Sequence, residues 1–148
     1  MDVLYLFHRY KDDVYRLAVS YIHNVQEAED VCQTVFLKLM EQKHIQPGKE
    51  KAWLMQATVN QCRSLLRSSW WKRTVALEES AGIPQTPEDE TLQVVMALPA
   101  KYRVVIYLHY YERYTAAEIG KLLKIPVSTV TTRLSRGRRL LRAELKEV

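Results

Sequence analysis

The residues best suited to chemistry lie near the C-terminus of this 148-residue chain, and their chemistry is recognition, not bond-making. From Ser128 onward a basic segment runs Thr129-Val130-Thr131-Thr132-Arg133-Leu134-Ser135-Arg136-Gly137-Arg138-Arg139-Leu140-Leu141. Wound as a helix at about 100° per residue, it puts Val130, Leu134, Gly137, Leu141 and Leu145 on one apolar stripe. Thr129, Thr132, Arg136 and Arg139 fall opposite, with Ser128 and Arg133 on the flanks. Hydroxyls and guanidinium forks are the groups that reach phosphates and base edges in a DNA major groove. Arg138, Arg139 and Arg142 lie further along and suit phosphate contacts. A second polar set, Gln56, Asn60, Arg63 and Arg67, repeats at helical spacing. Its amides can pair with base edges and its arginines with phosphates.

Other chemistries find little to stand on. No paired carboxylates, no Ser/His/Asp arrangement and no phosphate-cradling glycine loop can be recognised, so the chain does not read as an enzyme. Cys32 and Cys62 stand singly, and the four histidines are scattered; without a CxxC or HxxxH spacing, neither a metal site nor a cofactor is expected. Both thiols read as buried and reduced. No run approaches the roughly 18 apolar residues of a membrane span, and the N-terminus lacks a basic, cleavable leader. A cytoplasmic protein with no small-molecule substrate is the expectation.

Charge is distributed unevenly. Residues 1–77 hold 11 bases against 8 acids, residues 78–91 hold five acids and no base, and residues 92–148 hold 11 bases against 4 acids. A basic C-terminal unit favours a polyanion.

Apolar spacing is helical nearly throughout. Val3, Phe7, Tyr10, Val14, Leu17 and Tyr21 form one stripe over residues 2–22. Asn24 with Glu27 reads as an N-cap opening a second helix to about Gln42, with Ala28, Val31, Val35 and Leu39 inward. On that helix Asp30, Gln33 and Leu37 project the other way, with Met40 nearby, and an exposed Leu and Met beside polar groups suggest a protein interface. A loop holding Pro47-Gly48 precedes a third helix over about 50–68, with Ala52, Met55, Val59, Cys62 and Leu66 inward. Trp70-Trp71-Lys72-Arg73 follows, aromatic and basic, and indoles packed on a helix end are its commoner explanation. Residues 78–87 combine Gly, Pro and acids and read as a flexible linker. Thr86-Pro87-Glu88-Asp89 is a helix start, and that helix reaches about Ala97. Pro99 opens another, ending near Glu112. The fold class is all-α: two small helical domains, 1–77 and 88–148, joined by the flexible acidic linker.

Thr115-Ala116-Ala117-Glu118 is a second capping box, opening a short helix with Ile119, Leu122 and Leu123 inward. Gly120 leaves room for close approach of a following helix. Lys124-Ile125-Pro126-Val127 forms a turn, since Pro126 cannot continue the helix, and Ser128 reads as the cap of the basic helix. Short helix, tight turn and longer basic helix make a helix-turn-helix.

Leu98-Pro99-Ala100-Lys101-Tyr102-Arg103, Tyr114 to Gly120 and Ile125 to Arg138 closely resemble region 4 of extracytoplasmic-function sigma factors. Ala28 to Phe36, Ala52-Trp53-Leu54, Asn60 and Leu65-Leu66-Arg67 resemble their region 2. The resemblance covers almost the whole chain in the family's order. It implies a bacterial transcription initiation factor that binds core RNA polymerase and promoter DNA. Region 4 would read the −35 element through Ser128, Thr129, Thr132, Arg133, Arg136 and Arg139. Region 2 would read the −10 element through Gln56, Asn60, Arg63 and Arg67, with the His44–Lys51 loop capturing an unpaired base. Asp30, Gln33 and Leu37 would dock on the polymerase, and an anti-sigma factor is a further partner that the family suggests. The chain departs from the family pattern at Thr58, Ser64 and Lys124. The competing reading is a helix-turn-helix transcriptional regulator that binds duplex DNA without being a polymerase subunit.

Overall fold

The computed structural model describes residues 1–67 and 90–146. The chain divides into two compact units, Met1–Ala81 and Gly82–Val148. The 78–87 linker, the Thr86 cap and Trp70-Trp71 lie outside the described residues.

Among its described residues the first unit has three helices, α1 (Val3–Ile22), α2 (Val25–Glu41) and α3 (Glu50–Leu66), each packed against the other two. Asp2 caps α1 by accepting from the Tyr5 amide at 3.0 Å. His23, in the left-handed region, ends it and turns the chain at once into Asn24, whose side chain accepts from the Glu27 amide at 2.9 Å and caps α2. So short a connection makes α1 and α2 antiparallel neighbours. Ala28, Val31, Val35 and Leu39 are buried as the periodicity requires.

The α1 stripe is displaced from the expected one. Val14 and Leu17 are fully buried, but Leu6, Ala18, Val19 and Ile22 take the places assigned to Val3, Phe7 and Tyr21. A helix packed on two partners buries an arc wider than one stripe. Phe7 stays partly exposed and sets its ring edge-on to Phe36 of α2, with centroids 5.1 Å apart. On α3, Met55, Val59 and Cys62 are buried as expected, joined by Leu54 and Thr58, whereas Ala52 is exposed. Burial pushes the half-buried Cys32 thiol up to about 12 and raises that of Cys62 as well. Neither forms a thiolate readily near neutral pH.

The second unit contains α4 (Glu90–Met96), α5 (Ala100–Tyr110), α6 (Ala116–Leu123) and α7 (Val127–Lys146). Its core gathers Leu92 and Val95 from α4, Val105, Ile106 and Leu108 from α5, Ile119 from α6, and Val130 and Leu134 from α7. Arg103, Tyr107 and Glu112 bury polar groups with partners. Arg103 donates to the Leu98 carbonyl at 3.1 Å, its pKa lowered by desolvation to about 10. The Tyr107 hydroxyl donates to the Glu112 carboxylate at 2.8 Å, pinning the end of α5 to the segment that leads into α6.

Candidate nucleic-acid interface

The helix-turn-helix comprises α6, the turn at 124–126 and α7. The capping box is complete: the Glu118 amide donates to the Thr115 hydroxyl at 3.1 Å, and the Thr115 amide donates to the Glu118 carboxylate at 3.0 Å. The backbone bond from Thr115 is the main cause holding that carboxyl below its ordinary pKa. The box is therefore intact at neutral pH and loosens as pH falls through the lowered value.

Lys124 stands at φ 58° and ψ 47°, left-handed, where the amides of Lys124 and Ile125 both reach back to the Gly120 carbonyl. This is a Schellman-type ending that glycine normally occupies. A non-glycine residue there is strained. Lys124→Gly is expected to raise the stability of the second unit by about 0.5–1 kcal/mol, the relief of strain outweighing glycine's extra unfolded-state freedom. Thermal unfolding followed by circular dichroism would register this as a raised midpoint; a lowered one would mean that the left-handed residue carries no strain.

The turn then folds close against α6. A Cβ on Gly120 would lie 2.9 Å from the Ile125 carbonyl oxygen, so this glycine admits the turn backbone more than a crossing helix. The Pro126 carbonyl accepts from the amides of Thr129 and Val130. α7 thus begins at Val127, and Ser128 lies in its first turn instead of capping it. Pro126 holds the cap position and offers its carbonyl to the first helical bonds, so the serine side chain falls inside the helix and not ahead of it.

α7 presents two faces. Val130 and Leu134 are buried, and Gly137 is seated against Ile106. The stripe weakens beyond: Leu141 is half-buried and Leu145 is exposed. Of the candidate DNA readers, Ser128, Thr132, Arg136 and Arg139 are exposed, while Thr129 and Arg133 are partly covered. Arg138 is also partly covered and donates to the Tyr110 hydroxyl at 3.1 Å, so it is less free for phosphate than its spacing suggests.

In the first unit, α3 carries the other polar set. Asn60 and Arg67 are exposed, and Gln56 and Arg63 are half-buried. Gln56 Nε2 donates to Asn60 Oδ1 at 2.9 Å across one helical turn. This occupies the Asn60 carbonyl oxygen and leaves its amide group as a donor toward a base acceptor. Thr58, a departure from the family pattern, is fully buried with its hydroxyl donated to the Leu54 carbonyl at 2.7 Å, and so takes no part in that face. Ser64 is exposed. Ahead of α3 the loop turns at Gly48, φ 85°, whose amide donates to the Glu50 carboxylate. A cleft of about 500 Å³ opens between this loop and the start of α1. Tyr5, Arg9 and Tyr10 line it with His44 and Pro47. The family resemblance points to His44–Lys51 alone; the α1 residues reach the cleft only through the fold.

On α2, Asp30 and Gln33 are exposed, and Leu37 and Met40 are 61% and 65% exposed. Both are large apolar side chains open to solvent on a helix whose other face is buried.

Comparison with known proteins agrees with both halves. Residues 6–72 match the family model of sigma-70 region 2, and residues 88–141 that of sigma-70 region 4. The chain is 32% identical to the ECF RNA polymerase sigma factor SigW of Bacillus subtilis, over 94% of this chain and 86% of that protein. It is 31% identical to the ECF RNA polymerase sigma factor SigE of Mycolicibacterium smegmatis, over 93% of this chain and 59% of the relative. The fold is shared with the sigma factor RpoE of Bartonella quintana, solved in complex with the anti-sigma factor NepR, at a TM-score of 0.70 and 21% identity, covering 95% and 94% of the two chains. With a region 2 bundle, a region 4 helix-turn-helix and relatives matched across nearly its whole length, the chain belongs to the extracytoplasmic-function RNA polymerase sigma factors.

Proposed function

We propose that this sigma factor directs core RNA polymerase to promoters by reading the −35 element with α7 and the −10 element with α3. The observation that carries the reading is the division of α7. Ser128, Thr132, Arg136 and Arg139 are exposed on a helix whose Val130 and Leu134 are locked into the core. A rigid helix with its polar groups turned outward is what major-groove recognition requires. Thr129 and Arg133 flank the same face, and Arg142 extends it toward the DNA backbone.

In the first unit, Asn60 and Gln56 offer amide groups to unpaired bases, and Arg63 and Arg67 engage phosphates. The cleft beside the loop ahead of α3 receives the base extruded on opening. Its tyrosines suit stacking, and Arg9, His44, Asp2 and Glu50 offer polar groups for edge recognition of a base out of the duplex. Polymerase docking falls to Asp30, Gln33 and Leu37 of α2, with Met40 beside them. The protein acts in the cytoplasm, without a cofactor, metal or small-molecule substrate and without catalysis of its own. No helix among the described residues is long and apolar enough to cross a membrane. An anti-sigma factor, the kind of partner present in the Bartonella quintana structure, is a regulator of the same class for this chain.

A regulator acting alone on duplex operators would use its N-terminal helices to dimerise or to sense, not to bind core polymerase. Leu37→Asp separates the two. With an apolar anchor replaced by a charge, affinity for core polymerase is expected to fall about tenfold or more, while the fold is kept because Leu37 is 61% exposed and outside the core. Fluorescence anisotropy of the labelled full chain titrated with core enzyme measures this. Unchanged affinity would remove α2 from the interface.

A further inference from the structure

The polar stripe of α3 carries one bond that decides what the stripe can accept. Gln56 and Asn60 stand one helical turn apart, the spacing at which side chains meet on a helix surface, and Gln56 Nε2 donates to Asn60 Oδ1 at 2.9 Å. Gln56 is half-buried and Asn60 is exposed. Each follows a fully buried residue, Met55 and Val59, so the backbone beneath the pair is held by the packing of the first unit.

An amide donates at nitrogen and accepts at oxygen, and a free Asn can present either by turning over. Turning Asn60 over alone would set its NH2 against the NH2 of Gln56, donor against donor. The bond therefore fixes the polarity of Asn60, with its oxygen held toward Gln56 and its NH2 left for a ligand. Bases divide on this point. At the exocyclic position that best distinguishes them, thymine and guanine carry a carbonyl oxygen, whereas adenine and cytosine carry an amine. A side chain that can only donate bonds the first two and opposes the others.

We propose that Gln56 is a positioning residue for −10 recognition: by holding the Asn60 oxygen, it makes Asn60 a donor that selects thymine or guanine over adenine or cytosine. The proposal rests on the assignment of α3 to the −10 element. Arg63 and Arg67, further along the stripe, set the register of the strand through its phosphates, and one base is thereby brought to Asn60. Gln56 keeps a second amide hydrogen for a contact of its own. Its selectivity is exercised through Asn60.

The test uses the full chain with core polymerase and a library of promoter fragments randomised across the −10 element, with transcripts sequenced. The wild-type chain should favour thymine or guanine at one position by about three- to tenfold, the range of one hydrogen bond made or opposed, and Asn60→Ala should flatten that position. Gln56→Met keeps the length of the side chain and loses the amide; it should weaken the same preference and leave other positions unchanged. Gln56→Glu is the decisive variant. A carboxylate only accepts, so Asn60 must turn its NH2 toward it and its oxygen outward, and the preference should invert to adenine or cytosine. The inversion should vanish when Asn60→Ala is added. A side chain that merely supports the helix would give no inversion, and added negative charge alone would lower initiation evenly across the four bases. If Asn60→Ala flattens a position that Gln56→Glu fails to invert, the positioning role is wrong while the −10 assignment stands. If Asn60→Ala leaves every position unchanged, both fall.

Discussion

Arg136→Ala should lower initiation from promoters with an intact −35 element by about five- to a hundredfold, the range of one lost bidentate base contact, with affinity for core polymerase unchanged. The reason lies in where the side chain sits. Arg136 is exposed one residue before Gly137, the point at which α7 is seated on Ile106. Truncation removes a guanidinium from the exposed face of α7 without opening the core beneath. Residues on the opposite side of α7 would behave otherwise, since a change at Val130 or Leu134 disturbs packing first. Run-off transcription on matched fragments with and without the −35 element, beside a core-binding titration, measures both quantities. A variant that lost core binding in step with initiation would show that Arg136 faces the polymerase, not the DNA.

The second large effect is expected at Gly120, and its sign is the informative part. Glycine to alanine inside a helix ordinarily stabilises by about 1 kcal/mol. At Gly120 the added Cβ would stand 2.9 Å from the Ile125 carbonyl oxygen, a backbone atom of the turn itself. A flexible side chain could rotate away; this carbonyl moves only if the turn opens. Gly120→Ala should therefore destabilise the second unit by about 1–3 kcal/mol, as overpacking does, and lower its melting midpoint by about 4–8 °C per kcal/mol. A small helical bundle has little stability to spare. Because the turn sets the angle between α6 and α7, −35-dependent initiation should fall with it. Chemical denaturation followed by circular dichroism gives the stability change. A gain in stability would mean that the turn relaxes freely and that the close approach carries no energy.

Much of the fold was legible because helices report themselves through local spacing. Ala28, Val31, Val35 and Leu39 recur at helical intervals and are buried, and the Thr115–Glu118 box is a four-residue signal whose two hydrogen bonds both form. Local rules fail where a second partner redefines the face. α1 lies against two helices, so its buried arc includes Leu6, Ala18 and Val19, which a single stripe does not select. Ala52 was assigned inward by the same rule and is exposed.

The candidate site divides along the same line. The exposure of Asp30, Gln33, Leu37, Asn60, Arg136 and Arg139 follows from each helix's own period. What spacing does not encode is contact between residues far apart in the chain. Tyr5 and Arg9 join the 44–51 loop at the cleft only because α1 starts beside that loop. Tyr110 and Arg138, 28 residues apart, meet only because α5 and α7 cross at Gly137. Spacing marks Arg138 as a free basic residue; the crossing gives it a partner.

The most direct test of the central claim is reconstituted run-off transcription from a fragment library of the source genome, with core polymerase alone, with this chain alone and with both. Initiation at a discrete set of promoters sharing −35 and −10 elements, seen only when chain and core enzyme are combined, is the predicted result. Tight binding of free duplex DNA by the chain, with no promoter activated in the presence of core enzyme, would contradict it.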